Sequence, residues 1–219
     1  MSFTKISMIG AGVMGEALIA ALIKAGHAAE HIEIFEKRPE RAQELCERYG
    51  ISQGSDLSGS QVLLLVVKPQ DLEALLDQIK SRISSDTLII SFVAGKKMNK
   101  ISVALGGVNP IVRVMPNTPA LVGKGAAGYS FNEKVNDHQK VFVSDLLNAA
   151  GKAVEVAEDL QDAVTATSGS GPAYFFAFVE AMVKGAHKLG LSEADANDLV
   201  VQTLIGAAEL LATTGKSAT

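Results

Sequence analysis

The chain has 219 residues, 47% of them apolar and 20% charged, with a formal net charge of −4. This length and composition suit one large domain, or one domain with a smaller companion, and are ample for a hydrophobic core; the mildly acidic balance argues against a nucleic-acid partner, which needs clustered Lys and Arg. The lone cysteine, Cys46, rules out an internal disulfide and a cysteine-based zinc site and points to the cytoplasm; as a side chain it reads as a small half-buried residue on a helix.

The N-terminus shows no signal-peptide pattern, because Lys5 interrupts the first apolar stretch and Gly10 and Gly12 follow at once. Lys5–Ile9 reads as the first strand. A helix over Glu16–Ala25 follows, with Ala17, Leu18, Ala21 and Leu22 on one face and Gly26 as its stop. His31–Phe35 is the second strand, and Pro39–Tyr49 a charged helix closed by Gly50. Val62–Val67 is a continuous apolar run, and no apolar run in the chain approaches a bilayer span of ~20 residues, so no membrane association is expected. It has the character of a parallel strand covered on both faces. Pro69–Arg82 is amphipathic, with Leu72, Leu75, Leu76 and Ile79 as its stripe. Thr87–Val93 and Ile111–Met115 are the next strands. Ala126–Phe131, a helix over about Val135–Ala150, and Ala153–Val156 extend the same domain.

From Gln161 onward no strand pattern remains. Tyr174–Leu189 is apolar at helical spacing and ends at Gly190; Ser192, with Asp195 three residues on, has the look of a capping box opening a helix to about Ala212. The pattern predicts an α/β fold: an N-terminal Rossmann-type doubly wound, mostly parallel sheet over residues 1–157, then an all-α C-terminal domain over 158–219.

Gly10-Ala11-Gly12-Val13-Met14-Gly15 is a GxGxxG set directly between a predicted strand and a predicted helix, the context that gives the pattern meaning. The first glycine allows a tight turn, the second lets backbone approach a pyrophosphate, and the third lets helix pack on strand. The helix N-terminus adds free N–H groups and partial positive charge. Glu36 lies about 20 residues on, where a carboxylate bonds the ribose hydroxyls of NAD. Lys37 and Arg38 follow immediately and suit the 2′-phosphate of NADP. Two adjacent cations against one carboxylate favour NADP(H) over NAD(H); the plainer reading leaves Lys37 and Arg38 as solvated surface residues.

Three further segments carry more information: Val66-Val67-Lys68-Pro69-Gln70, Val112-Arg113-Val114-Met115-Pro116-Asn117-Thr118-Pro119-Ala120, and Asp162 through Tyr174 with its Ser168-Gly169-Ser170-Gly171-Pro172-Ala173 turn. With the glycine motif they resemble the pyrroline-5-carboxylate reductases, which reduce a cyclic imine with NAD(P)H to give proline, and the resemblance is collinear from Ile6 to about Leu211. It implies that Val67 and Lys68 lie along the cofactor and that Ala94 and Gly95 line its nicotinamide end. Pro116 and Asn117 would border the nicotinamide, Glu158 would contact the substrate, and Ser168, Gly169, Ser170 and Gly171 would shape the substrate pocket. It also implies a homodimer or higher homo-oligomer built on C-terminal helices, and a further stretch beyond the position of Thr219 with a substrate-binding loop. The residues agree in part. Lys68, Ala94 and Asn117 fall just past predicted strand ends, where ligands bind in open α/β sheets, and Pro172 suits a helix start.

Each residue also has a structural reading. Lys68 can be a surface lysine, Glu158 a helix cap, and Pro116 and Pro119 loop stiffeners. Arg113 can be a buried ion-pair residue, and the Phe175, Phe178, Met182 stripe core or subunit interface. His27, His31, His138 and His187 lack metal-ligand spacing, so no metal site is assigned. No residue is assigned as catalytic: a protonated imine is already electrophilic, and the motifs hold no His–carboxylate pair. Two other functions fit a Rossmann domain followed by helices. A β-hydroxyacid dehydrogenase would need a lysine such as Lys184 or Lys188 as catalyst, and a non-catalytic module would bind NAD(P)H without turnover.

Overall fold

The computed structural model describes residues 3–215 and 217. Of the polar tail Thr213–Thr219, Lys216, Ala218 and Thr219 lie outside the described residues. In chain order the elements begin β1 (Ile6–Ile9), α1 (Val13–Lys24), β2 (Ile32–Phe35), α2 (Pro39–Tyr49), β3 (Ser52–Gln53), β4 (Val62–Leu65), α3 (Leu72–Ile79), β5 (Leu88–Ser91), α4 (Met98–Ala104) and β6 (Ile111–Met115). They continue with β7 (Gly125–Phe131), α5 (Asp137–Ala150), β8 (Gly151–Glu155), α6 (Gln161–Val164), α7 (Gly171–Lys188) and α8 (Glu193–Thr214).

The strands form one sheet in the order β3-β2-β1-β4-β5-β6-β7-β8, parallel throughout except for the antiparallel β6–β7 pair. The register follows from burial on both faces. Along β4, Val62 and Leu64 join a core with Leu18, Leu22, Val143 and Leu146, whereas Leu63 and Leu65 join a second core with Leu72, Leu76 and Ile101. Because alternate side chains point to opposite faces, an uninterrupted apolar run is what a doubly covered strand requires.

Some elements were not expected. β3 is two exposed polar residues paired to β2, and α4 buries only Met98 and Ile101; neither is long enough to show a period. The Ser192–Asp195 cap is half of what its spacing suggests. The Ser192 hydroxyl accepts the Asp195 N–H (3.1 Å) but donates to the Asp195 carboxylate (2.6 Å), so the reciprocal bond to the N-cap backbone is replaced. The complete capping box is at Asn136 and Gln139, opening α5.

The chain divides into two compact units, 1–170 and 171–219. A short 3₁₀ turn (Glu158–Leu160), α6 and a π-helical turn (Thr165–Gly169) belong to the first. In the second, α7 and α8 pack on each other and leave Phe175, Phe178, Leu199, Ile205 and Leu210 exposed, so the Phe175/Phe178/Met182 stripe is not monomer core. Among the described residues no helix is long and apolar enough to cross a membrane.

Candidate dinucleotide site

From β1 the chain runs to β2 on one side, while β4 lies on the other. The carboxyl ends of β1 and β4 therefore border the crevice where open α/β sheets bind ligands. The glycine turn lies at that point, and its three glycines do different work. Gly10 has φ +91° and would place a Cβ 2.3 Å from the Val66 carbonyl oxygen. A Cβ on Gly15 would lie 2.6 Å from the Gly10 carbonyl oxygen, which is how closely α1 packs on the turn. At Gly12 an added Cβ would meet nothing within 4 Å. The crowded glycines build the turn, and the open one leaves a path for a ligand to reach the backbone. The first N–H groups of α1 have no carbonyl four residues back within the helix, so the cradle offers donors and the positive end of a helix dipole to an anion.

The residues after β2 are wired into the same turn. Glu36 accepts the Ala11 N–H (3.0 Å), the Arg38 N–H (3.1 Å) and the Arg38 side chain (3.0 Å). Burial alone pushes its carboxyl up, but the Arg38 side chain, the Arg38 and Ala11 N–H groups and the Arg38 charge outweigh it and bring the pKa down to about 2. Glu36 is thus an ionised carboxylate with its side chain 7% exposed, while its partner Arg38 is 61% exposed. Lys37 is exposed. Sequence reasoning missed Arg41, whose Nε donates to the Ala11 carbonyl (3.3 Å). No local pattern in the sequence links position 41 to position 11.

Val67 is half-buried, with its Cγ1 3.4 Å from where a Gly10 Cβ would sit. Lys68, Ala94 and Gly95 are exposed just past β4 and β5. Asn117, past β6, is buried. Its amide is bonded at both ends within the chain: Nδ2 donates to the Ser168 carbonyl (3.0 Å) and Oδ1 accepts the Ala126 N–H (2.8 Å). The Pro116–Asn117 segment and the Ser168 turn are thereby brought together. Close packing repeats the link, since a Cβ on Gly169 would lie 2.6 Å from Met115 Cε. The backbone there is a π turn closed by Ser170 N–H to Thr165 O (2.8 Å), a local widening often found at functional sites. Ser168, Gly169 and Ser170 are half-buried in the first unit, and Gly171 opens α7 in the second.

Glu158 accepts the Met98 N–H at the start of α4 (2.6 Å) and faces Arg113 Nη1 at 3.6 Å. It caps a helix distant in sequence, α4, and so steadies the segment after Ala94 and Gly95. Arg113, with a side chain 5% exposed, also pairs with Asp162 at 3.4 Å, in keeping with an ion-pair role. Gln161, fully buried, donates to Ser130 Oγ (2.9 Å) and the Arg113 carbonyl (3.4 Å); nothing in its sequence context marked it. Lys184 pairs with Glu180 on the exposed side of α7. Among the described residues no cluster of three or more His, Cys, Asp or Glu side chains is placed to hold a metal ion.

Comparison with known proteins adds to this geometry. Residues 158–219 match a family model described as pyrroline-5-carboxylate reductase dimerisation, and residues 5–95 match one described as NADP oxidoreductase, coenzyme F420-dependent. The pyrroline-5-carboxylate reductase of Corynebacterium melassecola is 40% identical over 220 residues, covering 97% of this chain and 82% of the relative. Among solved structures, a pyrroline-5-carboxylate reductase from Coxiella burnetii superposes with a TM-score of 0.91 at 32% identity, covering 99% of this chain and 82% of the other. The Plasmodium falciparum pyrroline carboxylate reductase with NADP bound superposes with a TM-score of 0.86 at 31% identity, covering 99% of this chain and 81% of the other.

Proposed function

We propose that this chain, which belongs to the pyrroline-5-carboxylate reductase family, binds NADP(H) in preference to NAD(H) across the carboxyl ends of β1, β4, β5 and β6 and reduces a pyrroline carboxylate to proline. It is an NAD(P)H-dependent oxidoreductase acting on a C=N bond. The observation that carries the site is the glycine turn: Gly10 and Gly15 are packed against backbone while Gly12 is open, an arrangement that fits a diphosphate.

In this reading Gly10, Ala11, Gly12, Val13, Met14 and Gly15 form the diphosphate cradle. Val67 and Lys68 flank the cofactor, and Ala94, Gly95, Pro116 and Asn117 border its nicotinamide end. The Asn117 amide, held by Ser168 and Ala126, fixes the path of the backbone there. Glu158 and the Ser168, Gly169, Ser170 and Gly171 segment serve the substrate. When bound, the reduced nicotinamide supplies a hydride; the chain supplies binding and orientation. What these residues must achieve is alignment of the two reacting carbons within about 3–3.5 Å.

The preference for NADP(H) rests on charge. Glu36 is committed to Ala11 and Arg38, whereas the Arg38 guanidinium is mostly exposed and Lys37 is free to swing toward a phosphate. Arg38→Ala weakens NADPH binding about tenfold, as loss of a charge-assisted pair does, and leaves NADH binding nearly unchanged; titration of nicotinamide fluorescence reads both. We also propose a cytoplasmic homodimer or higher homo-oligomer, supported by the dimerisation match and the exposed apolar residues of α7 and α8. The test of activity is the decay of reduced-nicotinamide absorbance on adding pyrroline-5-carboxylate with NADPH. No substrate-dependent decay, with an active relative run in parallel, overturns the assignment.

A further inference from the structure

The two peptide units that meet at Ala11 Cα are each pinned from outside the turn. The N–H of the Gly10–Ala11 unit donates to Glu36 at the end of β2 (3.0 Å), and the carbonyl of the Ala11–Gly12 unit accepts from Arg41 Nε in the first turn of α2 (3.3 Å). Arg41 is itself held: Nη1 donates to Glu44 (2.7 Å) and Nη2 to Glu16 on α1, and its side chain is 18% exposed. Glu16 is bonded in turn by Arg48 and by the Tyr49 hydroxyl (3.1 Å). Each of the three guanidinium nitrogens therefore donates to the protein, and the charge is paired with two carboxylates.

In a trans peptide the C=O and N–H point in opposite directions. By fixing the Ala11 carbonyl toward α2, Arg41 fixes the Gly12 N–H to point away from α2. Rotation of that one plane would reverse the arrangement and present a carbonyl oxygen where a donor belongs. Glycine at position 12 offers little resistance to such a rotation, and its surroundings are open, so the restraint has to come from elsewhere.

We propose that Arg41 is a positioning residue for the dinucleotide: through the Ala11 carbonyl it locks the peptide plane before Gly12 and aims that N–H, with the first turn of α1, at the diphosphate. The inference deepens the reading of the site given above and rests on it. It assigns Arg41 to the part common to NAD and NADP, and leaves the 2′-phosphate to Lys37 and Arg38.

The test compares wild type with Arg41→Met, Arg41→Gln and Arg41→Lys by titrating NADH and NADPH, with ADP as a competing probe, in low and high salt. Arg41→Met weakens NADH, NADPH and ADP by the same factor, about five- to tenfold, the worth of one well-placed hydrogen bond, and high salt does not abolish the loss. Arg41→Lys keeps a cationic donor and recovers most of the affinity. In turnover the KM for reduced cofactor rises by that factor while kcat and the imine KM hold. Arg41→Gln carries the comparison where the methionine variant folds poorly. A loss confined to NADPH would show direct phosphate contact and overturn the inference. Unchanged NADH affinity, or a fall in Tm alone with binding per folded molecule intact, would overturn it too. A wild-type chain that binds neither form of the cofactor refutes the dinucleotide reading itself, and this inference with it.

Discussion

A glycine at position 12 and one at position 10 look alike in the sequence, yet substitution separates them. Gly12 has φ −69° and ψ −159°, extended backbone outside the left-handed region that demands glycine, and open space around it. Gly12→Ala is expected to cost no more than about 1 kcal/mol of stability, the difference between glycine and alanine at an N-cap, and to weaken NAD(P)H binding at least tenfold (about 1.4 kcal/mol), because the new methyl would stand where the proposed site admits the diphosphate. Gly10→Ala meets both a positive φ and the Val66 carbonyl, and costs about 2–4 kcal/mol of stability. Urea denaturation beside cofactor titration resolves the two. Glu36 offers a pH signature at the same scale. Its folded pKa of about 2 lies below the unfolded value, so its contribution is complete above the unfolded carboxylate range and is lost as pH falls toward 2. The stability gap between wild type and Glu36→Gln should be flat above about pH 5 and close between pH 5 and 2; a gap that widens on acidification would contradict the wiring of Glu36 to Ala11 and Arg38.

At the scale of elements, Glu158 joins β6 to α4 through Arg113 and the Met98 N–H. Glu158→Ala removes the cap and one carboxylate of a buried arginine, an expected loss of about 2 kcal/mol with Asp162 left as partner. Glu158→Gln keeps an acceptor for Met98 and should lose about half as much by chemical denaturation. A rise in imine KM in the glutamine variant, with cofactor KM unchanged, would bear on the proposed substrate contact. Legibility in the sequence follows the same division. β1, α2, β4 and β6 were readable because their own side chains carry the period: Pro39–Tyr49 opens on a proline and closes on Gly50 in the left-handed region, and Val62–Leu65 is apolar on both faces. β3 and α4 were not, because partners rather than propensity define them: Ser52 and Gln53 are polar residues recruited by β2, and α4 begins on a bond from Glu158. In the site, the turn and the strand ends were readable from spacing. The Asn117–Ser168 link, the Arg41 bond to Ala11 and the burial of Gln161 were not, since each joins residues whose separation in sequence carries no local pattern.

For the whole molecule, the second unit poses the question of what its apolar residues face. Phe175, Phe176 and Phe178 on α7 and Leu199, Ile205 and Leu210 on α8 are each more than half exposed in the single chain. Large apolar side chains exposed in this number on two helices are a feature of interfaces, and burying one such side chain is worth about 1.5–3 kcal/mol. Two helices that bury only Gly171, Ala196 and Val200 have little core of their own, and association is the expected source of further burial. The chain is therefore expected to sediment as a dimer or larger, and Phe175→Glu with Phe178→Glu to shift it toward monomer at micromolar concentration. Because the proposed dinucleotide cradle draws on β1, α1, β2 and α2, the monomeric variant should still bind NADPH with near wild-type affinity even where turnover is lost. Sedimentation velocity paired with cofactor titration checks both halves. A wild-type chain that is monomeric at tens of micromolar, or a double variant that stays fully associated, would place the interface somewhere other than these helices.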